Sequence, residues 1–246
     1  MPRFAIVNLN REETETRGCV RIAAALQHLS GCGPDGVEVV HQASLRSDPA
    51  LVPRLLASVD AVVLGPQGTP FSAYDAGFLP WLRQLVETCQ LPILGVCGGM
   101  QALALAFGGA LETAYGGVLT DDTYTDQRKV LGPLPIQLHH NNLPHWLPAT
   151  ARQHLANWPS TGWPAWQSHV EQVRVLPADF VCVASSEPTA IEAIAHRSRP
   201  ILASQFHPEL GWGPQQVAPW PVELAHQPPV PCLGGEAWLR AFLAVV

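Results

Sequence analysis

The 246-residue chain carries 14 basic and 20 acidic residues, a formal charge of -6 with no basic stripe, so a nucleic-acid partner is not expected. Its 47% hydrophobic content is enough for the core of one large α/β domain, while no apolar run reaches the roughly 18 residues that a membrane-spanning helix needs. The six cysteines, Cys19, Cys32, Cys89, Cys97, Cys182 and Cys232, stand at neither metal-ligand nor disulfide-framework spacing, so a reducing cytoplasm is expected, with most of them buried as small apolar residues.

Short β-branched runs alternate with helical patterns. Phe4–Val7 is predicted as the first strand rather than part of a signal peptide. Thr14–His28 follows as a helix, with Ile22, Ala23 and Leu26 at helical spacing. A strand over Val37–Val40, a short helix over Ala50–Ala57 and a third strand over Ala61–Leu64 come next. This last strand ends in the turn-rich Gly65-Pro66-Gln67-Gly68-Thr69-Pro70. A helix over Phe78–Cys89 precedes a fourth strand, Pro92–Val96, and then a helix running from Cys97 to about Phe107. This alternation predicts an open, mostly parallel sheet with helices on both faces.

After Gly109 the periodicity weakens. Residues 113–165, rich in Pro, Trp, His and Asn, are predicted as a loop-rich insertion with short antiparallel pieces inside a single 1–246 domain. Strands return at Phe180–Ala184, Ala190–Ala195 and Ile201–Phe206. Residues 214–231 are predicted as a proline-rich surface loop, and Glu236–Val246 as a closing helix started by Gly234-Gly235.

Two segments carry the chemistry. In Gly95-Val96-Cys97-Gly98-Gly99-Met100-Gln101 a cysteine stands between a strand and a helix with glycines on both sides, the pattern of a nucleophile elbow. Such a turn strains the backbone at the nucleophile and sets sulfur at a helix N-terminus, whose partial positive charge favours thiolate. First-turn amides have no intrahelical acceptor, so Gly98 is a candidate oxyanion donor. In Gln205-Phe206-His207-Pro208-Glu209, residues two apart in extended chain project to one side, which lets Glu209 orient His207 as the base for Cys97. The histidines His139, His140 and His145 have no carboxylate or cysteine at fixed spacing and are predicted as solvated loop residues, not a metal site. Trp146, Trp158, Trp163 and Trp166 suit the lining of an acceptor pocket, a partner surface or packing beneath a loop.

These motifs resemble the G-x-C-x-G-x-Q elbow and the closing Q-F-H-P-E of class I glutamine amidotransferases. Trp166-Gln167-Ser168-His169-Val170-Glu171-Gln172-Val173, with Leu176-Pro177, is similar to the W-x-S-H-G-D-x-V-x-x-L-P stretch of their GMP-synthetase type. The resemblance implies a flavodoxin-like sheet, no cofactor, and hydrolysis of the side-chain amide of L-glutamine by a Cys97–His207–Glu209 triad through a γ-glutamyl thioester. By it, Gly98 and the 65–68 turn are the oxyanion donors, with Gly65 preferred and Gly68 as fallback. Gln101, Gly68, His169, Val170 and Glu171 form the substrate-binding set. Val170-Glu171 departs from the family's Gly-Asp, and the 65–68 turn from its oxyanion loop. Since no G-x-x-x-x-G-K-[ST] phosphate loop is present, the released ammonia is expected to serve a separate synthetase. Two alternatives stand beside this reading: a partner-independent hydrolase or transferase acting on a γ-glutamyl or other small amide, and a non-catalytic binding module.

Overall fold

In the computed structural model, which describes residues 1–117, 119, 122–212 and 231–246, the sheet is built around strands buried on both faces. β1 (Phe4–Asn8), β2 (Val37–His41), β3 (Ala61–Leu64), β4 (Ile93–Val96) and β11 (Ile201–Ser204) run parallel in the order β2-β1-β3-β4-β11. Past β11 the sheet continues antiparallel through β10 (Ala193–His196), β9 (Phe180–Ser185), β6 (Val130–Leu138) and β7 (Trp163–His169). A separate antiparallel pair joins β5 (Ala110–Thr113) to β8 (Glu171–Val175).

Side chains alternate across a strand, and the core divides accordingly. Phe4, Ile6, Val63, Leu94, Val96 and Leu202 face one side, where α1 (Arg17–Ser30), α6 (Ala149–Ala156) and α7 (Leu233–Leu243) pack on them. Ala5, Val7, Val62, Leu64, Ile93 and Ala203 face the other, beneath α2 (Gln42–Ser47), α3 (Leu51–Ser58), α4 (Phe78–Thr88) and α5 (Gly98–Ala106). Each central strand therefore needs apolar residues at every position, which is why these segments read as unbroken apolar runs.

Several boundaries differ from the sequence-based expectation. The first helix begins at Arg17, leaving Thr14–Thr16 as loop, and α2 stands where no helix was expected. The strands expected at Ala190–Ala195 and Ile201–Phe206 are Ala193–His196 and Ile201–Ser204. The 113–165 stretch holds more regular structure than expected: nine-residue β6, helix α6, and the start of β7. Pro133 and Pro135 disguise β6. They are two apart, so their nitrogens lie on one edge. In that stretch β6 pairs only with β7, β9 pairing at Gln137 and Leu138, so the missing N–H groups fall on the unpaired edge.

The closing helix starts at Leu233 and takes in Gly234 and Gly235 rather than following them. A Cβ at Gly235 would lie 2.8 Å from the Pro208 carbonyl oxygen, so the helix packs directly against the His207–Glu209 segment. The proline-rich loop expected at 214–231 lies outside the described residues apart from Pro231. Among the described residues no helix is long and apolar enough to cross a membrane.

Candidate active site

Cys97 follows β4 and precedes α5 with φ 50° and ψ -104°, a left-handed backbone that costs a non-glycine residue on the order of 1–3 kcal/mol. Neighbours on both sides hold it there. Its N–H donates to the Ser204 carbonyl at 2.7 Å, carrying the β4–β11 register one residue further. The next turn lies so close to β3 that a Cβ at Gly99 would overlap the Leu64 carbonyl. The sulfur emerges at the C-terminal edge of the parallel strands, where open α/β sheets bind ligands.

His207 arrives from β11, three residues beyond its end. Its N–H donates to the Trp166 carbonyl at 2.7 Å, pinning the segment to β7. Its Nδ1 donates to Glu209 Oε1 at 2.9 Å, leaving Nε2 for Cys97, and Glu209 is only 1% exposed. Burial pulls the imidazolium down. The Glu209 carboxylate and the Cys97 thiolate, both hydrogen-bonded to it, outweigh burial and raise His207 well above the ordinary histidine range. An imidazole so placed can take the thiol proton, which is what a cysteine nucleophile needs from its base. Gln205 Nε2 also donates to the sulfur, at 3.6 Å.

The oxyanion expectation needs correction at Gly65. Its N–H is committed to the Val7 carbonyl at 3.0 Å and points into the sheet, away from sulfur. The Gly68 N–H is likewise committed, to Asn10 Oδ1 at 3.0 Å. The loop amide that reaches the elbow is that of Gln67, 2.7 Å from where a Cβ on Gly98 would stand and without an acceptor among the described residues. Glycine before proline was the wrong signal. The turn leaves β3 with Gly65 still paired, so the free amide comes two residues later.

A cavity of about 680 Å³ opens over Cys97 and His207 and is also lined by Gly68, Gln101, His169, Val170 and Glu171, so the structure brings the expected substrate-binding set together. Gln101 acts partly as a brace, its Nε2 donating to the Glu171 carbonyl at 2.6 Å and to Gln205 Oε1 at 3.2 Å. His169 Nδ1 donates to the same Glu171 carbonyl at 3.0 Å. Burial lowers His169 to about 4, the backbone bond opposes that, and the charge on His207 adds to it, so His169 is neutral. Val170 is buried. The Glu171 carboxyl is raised by burial and held against this by Tyr124, whose hydroxyl donates to Oε2 at 2.6 Å. Gln67 Nε2 in turn donates to that hydroxyl at 3.3 Å.

Sequence reasoning missed Tyr124, Gln67 and Gln205. Tyr124 lies in a polar stretch without periodicity, and only the fold shows that it reaches Glu171. Arg17, at the start of α1, and Lys129 line the same cavity. His139 Nε2 meets Ser185 Oγ at 2.9 Å, and no group of three or more His, Cys, Asp or Glu among the described residues is placed to hold a metal ion. Trp158 and Trp166 are buried, Trp158 stacks at a tilt on Trp163, and Trp146 Nε1 donates to the His196 carbonyl.

The family model for class-I glutamine amidotransferases matches residues 36–225. The glutamine-hydrolyzing GMP synthase subunit of Methanosarcina barkeri is 30% identical over 185 residues, 70% of this chain and 80% of that one. The corresponding subunit of Methanothrix thermoacetophila is 30% identical over 127 residues, 52% of this chain. This match spans 58% of the Methanothrix protein, and the match to the longer GMP synthase of Thermosipho melanesiensis spans 24% of it. A crystal structure of a Thermoplasma acidophilum protein superposes with a TM-score of 0.63 at 22% identity, covering 100% of this chain and 94% of that one, and so shares the fold.

Proposed function

Since the chain belongs to the class-I glutamine amidotransferase family, we propose that it hydrolyses the side-chain amide of L-glutamine with Cys97, His207 and Glu209. The observation that carries this reading is the strained elbow of Cys97 joined by the Ser204 bond to the strand that delivers the His207–Glu209 pair. The thiolate attacks the amide carbon, and the oxyanion so formed meets the amides of Gly98 and Gln67. The carbon–nitrogen bond breaks as His207 gives its proton to the leaving nitrogen, releasing ammonia and a γ-glutamyl thioester. His207 then takes a proton from water, hydroxide adds to the thioester, and glutamate departs with the thiolate restored. Glu209 holds Nδ1 throughout and does not itself transfer a proton. Glu171 takes the substrate ammonium at the far end of the cavity. Because relatives are named as one subunit of a glutamine-hydrolyzing GMP synthase, the ammonia passes in this reading to a separate synthetase.

A second reading is favoured by the cavity itself. At about 680 Å³, with Arg17 and Lys129 along its wall, it offers more room than a ten-heavy-atom amino acid fills. A larger γ-glutamyl amide, hydrolysed without a partner, suits that volume. One experiment separates the readings: ammonia and glutamate are measured with glutamine and with γ-glutamyl amides, and Cys97 is probed with a glutamine-analogue electrophile. Equimolar ammonia and glutamate, lost in Cys97→Ala, are expected from glutamine. No turnover of glutamine and no labelling of Cys97 would overturn the first reading, and turnover of the larger amide alone would establish the second.

A further inference from the structure

Behind the catalytic centre, outside the substrate cavity, sits a carboxyl group that the mechanism does not use. Glu192 is fully buried and makes no ion pair among the described residues. Burying an acid is costly unless its hydrogen bonds are made, and here they join three elements. Ser186 Oγ, in the turn after β9, donates to Oε1 at 2.6 Å. Gln167 Nε2, on β7, approaches Oε1 and Oε2 at 3.2 and 3.1 Å. The backbone of Glu192 does the rest: its N–H donates to the Ala184 carbonyl at 2.8 Å, and its carbonyl accepts from Gln205 N–H at 2.7 Å.

Two of the segments joined in this way lead to the reacting atoms. Gln167 lies between Trp166, whose carbonyl fixes the His207 backbone, and Ser168, whose carbonyl is the 4.0 Å neighbour of the Cys97 sulfur. Gln205 Nε2 donates to that sulfur at 3.6 Å, two residues before His207. We propose that Glu192 is a positioning residue, clamping β7 to the Gln205–His207 segment and thereby setting the approach of imidazole to sulfur.

The amide meets the carboxyl through Gln167 Nε2, which lies within reach of both oxygens, while Gln167 Oε1 is buried with no donor among the described residues. Burial favours the neutral acid, raising Glu192 to about 7 against the pull of Ser186 and Gln167. Among the described residues, the other titratable group facing it is the Cys182 thiol of β9, itself raised by burial.

The kinetic readout rests on the reaction proposed above, but alkylation of Cys97 by iodoacetamide across pH reads the clamp without any substrate. Full-length Glu192→Gln keeps a donor and an acceptor, and its alkylation rate should stay within about threefold of wild type, since shape-conserving replacement of a satisfied pair is nearly neutral. Glu192→Leu and Gln167→Leu should slow alkylation, move its pH midpoint upward and lower kcat for glutamine by roughly ten- to a hundredfold, the scale of a misplacement of about 1 Å. KM should hardly move, and the double variant should be no worse than either single, as for two halves of one contact. Wild-type rate and midpoint in folded Glu192→Leu, or a Glu192→Gln chain as slow as Glu192→Leu, overturns the proposal. Should the leucine variants not fold, Ser186→Ala removes one donor to the same carboxyl: slower alkylation supports the clamp, and an unchanged profile overturns it. If wild type shows no glutamine turnover while the alkylation pattern holds, the proposed reaction fails and the clamp stands.

Discussion

One added methyl group at Gly98 separates transition-state stabilisation from substrate binding. A Cβ there would lie 2.7 Å from the backbone nitrogen of Gln67, where ordinary contact begins at 3.4 Å. The Gln67 side chain can rotate aside, but the backbone nitrogen cannot, so the turn must retreat by about 0.7 Å, that is 3.4 minus 2.7. A donor bond of about 2.9 Å then lengthens to about 3.6 Å, past the useful range for N–H to oxygen. Losing one oxyanion donor costs on the order of 10²–10³ in kcat, or roughly 2.7–4 kcal/mol. Since that donor acts on charge developed only in the transition state, KM should change little. Alanine in place of glycine in a helix favours folding by roughly 0.5–1 kcal/mol, offsetting part of the local strain. The assay is steady-state glutamate release by Gly98→Ala, with thermal melting and iodoacetamide alkylation as controls, since alkylation forms no oxyanion. A native melt with kcat within about threefold of wild type, far from the loss a missing donor causes, would refute the placing of Gln67 in the oxyanion site.

His207→Asn should lower kcat by roughly 10³–10⁴, and Glu209→Gln by at least about tenfold less, because the base moves protons in both half-reactions while the acid only orients it; equal losses would contradict this division of roles. Tyr124→Phe removes the donor that opposes the effect of burial on Glu171, so KM for glutamine should rise by up to about a hundredfold, with kcat little changed, in line with 1.5–3 kcal/mol for a hydrogen bond to a charge. A KM equal to wild type from pH 5 to 8 would remove Glu171 from substrate binding. His169 is lowered to about 4 in the folded chain, so between that value and the ordinary histidine range the unfolded chain binds the extra proton. Stability should therefore fall as pH drops through that window, and His169→Gln should flatten the slope of urea midpoints there; equal slopes would mean that His169 titrates normally. His207, raised, acts in the opposite sense: its contribution is full below the ordinary histidine range and is lost as pH climbs through its elevated value.

The strands were legible where burial on both faces demands apolar residues throughout, as in Phe4–Val7 and Ala61–Leu64, and the elbow was legible because only small neighbours fit around a strained nucleophile. His207 and Glu209 could be paired from their two-residue spacing once the Cys97 elbow stood beside them. β6 was hidden by Pro133 and Pro135, whose tolerance depends on which edge β9 leaves open, a tertiary fact. Gly65 looked like a donor because glycine in a turn suggests a free amide. Its commitment to Val7 depends on β1 being its neighbour. Tyr124 reaches Glu171 across 47 positions and Gln205 reaches Cys97 across 108, contacts that no local pattern encodes.

The place of β11 in the sheet has a consequence for how the protein acquires its activity. β11 is an interior strand, inserted between β4 and β10, and it comes from the far end of the described sheet sequence. The pairing of Ile93 with Ile201 closes a loop of more than a hundred residues, and such non-local parallel pairings form slowly. Until they form, a nascent or refolding chain can carry Cys97 on a half-built edge, with neither His207 to hold its proton nor Ser204 to anchor its backbone. Refolding followed by fluorescence and by thiol reactivity should therefore show the activated thiol emerging with the last cooperative phase, so that partly folded chains are spared a reactive sulfur.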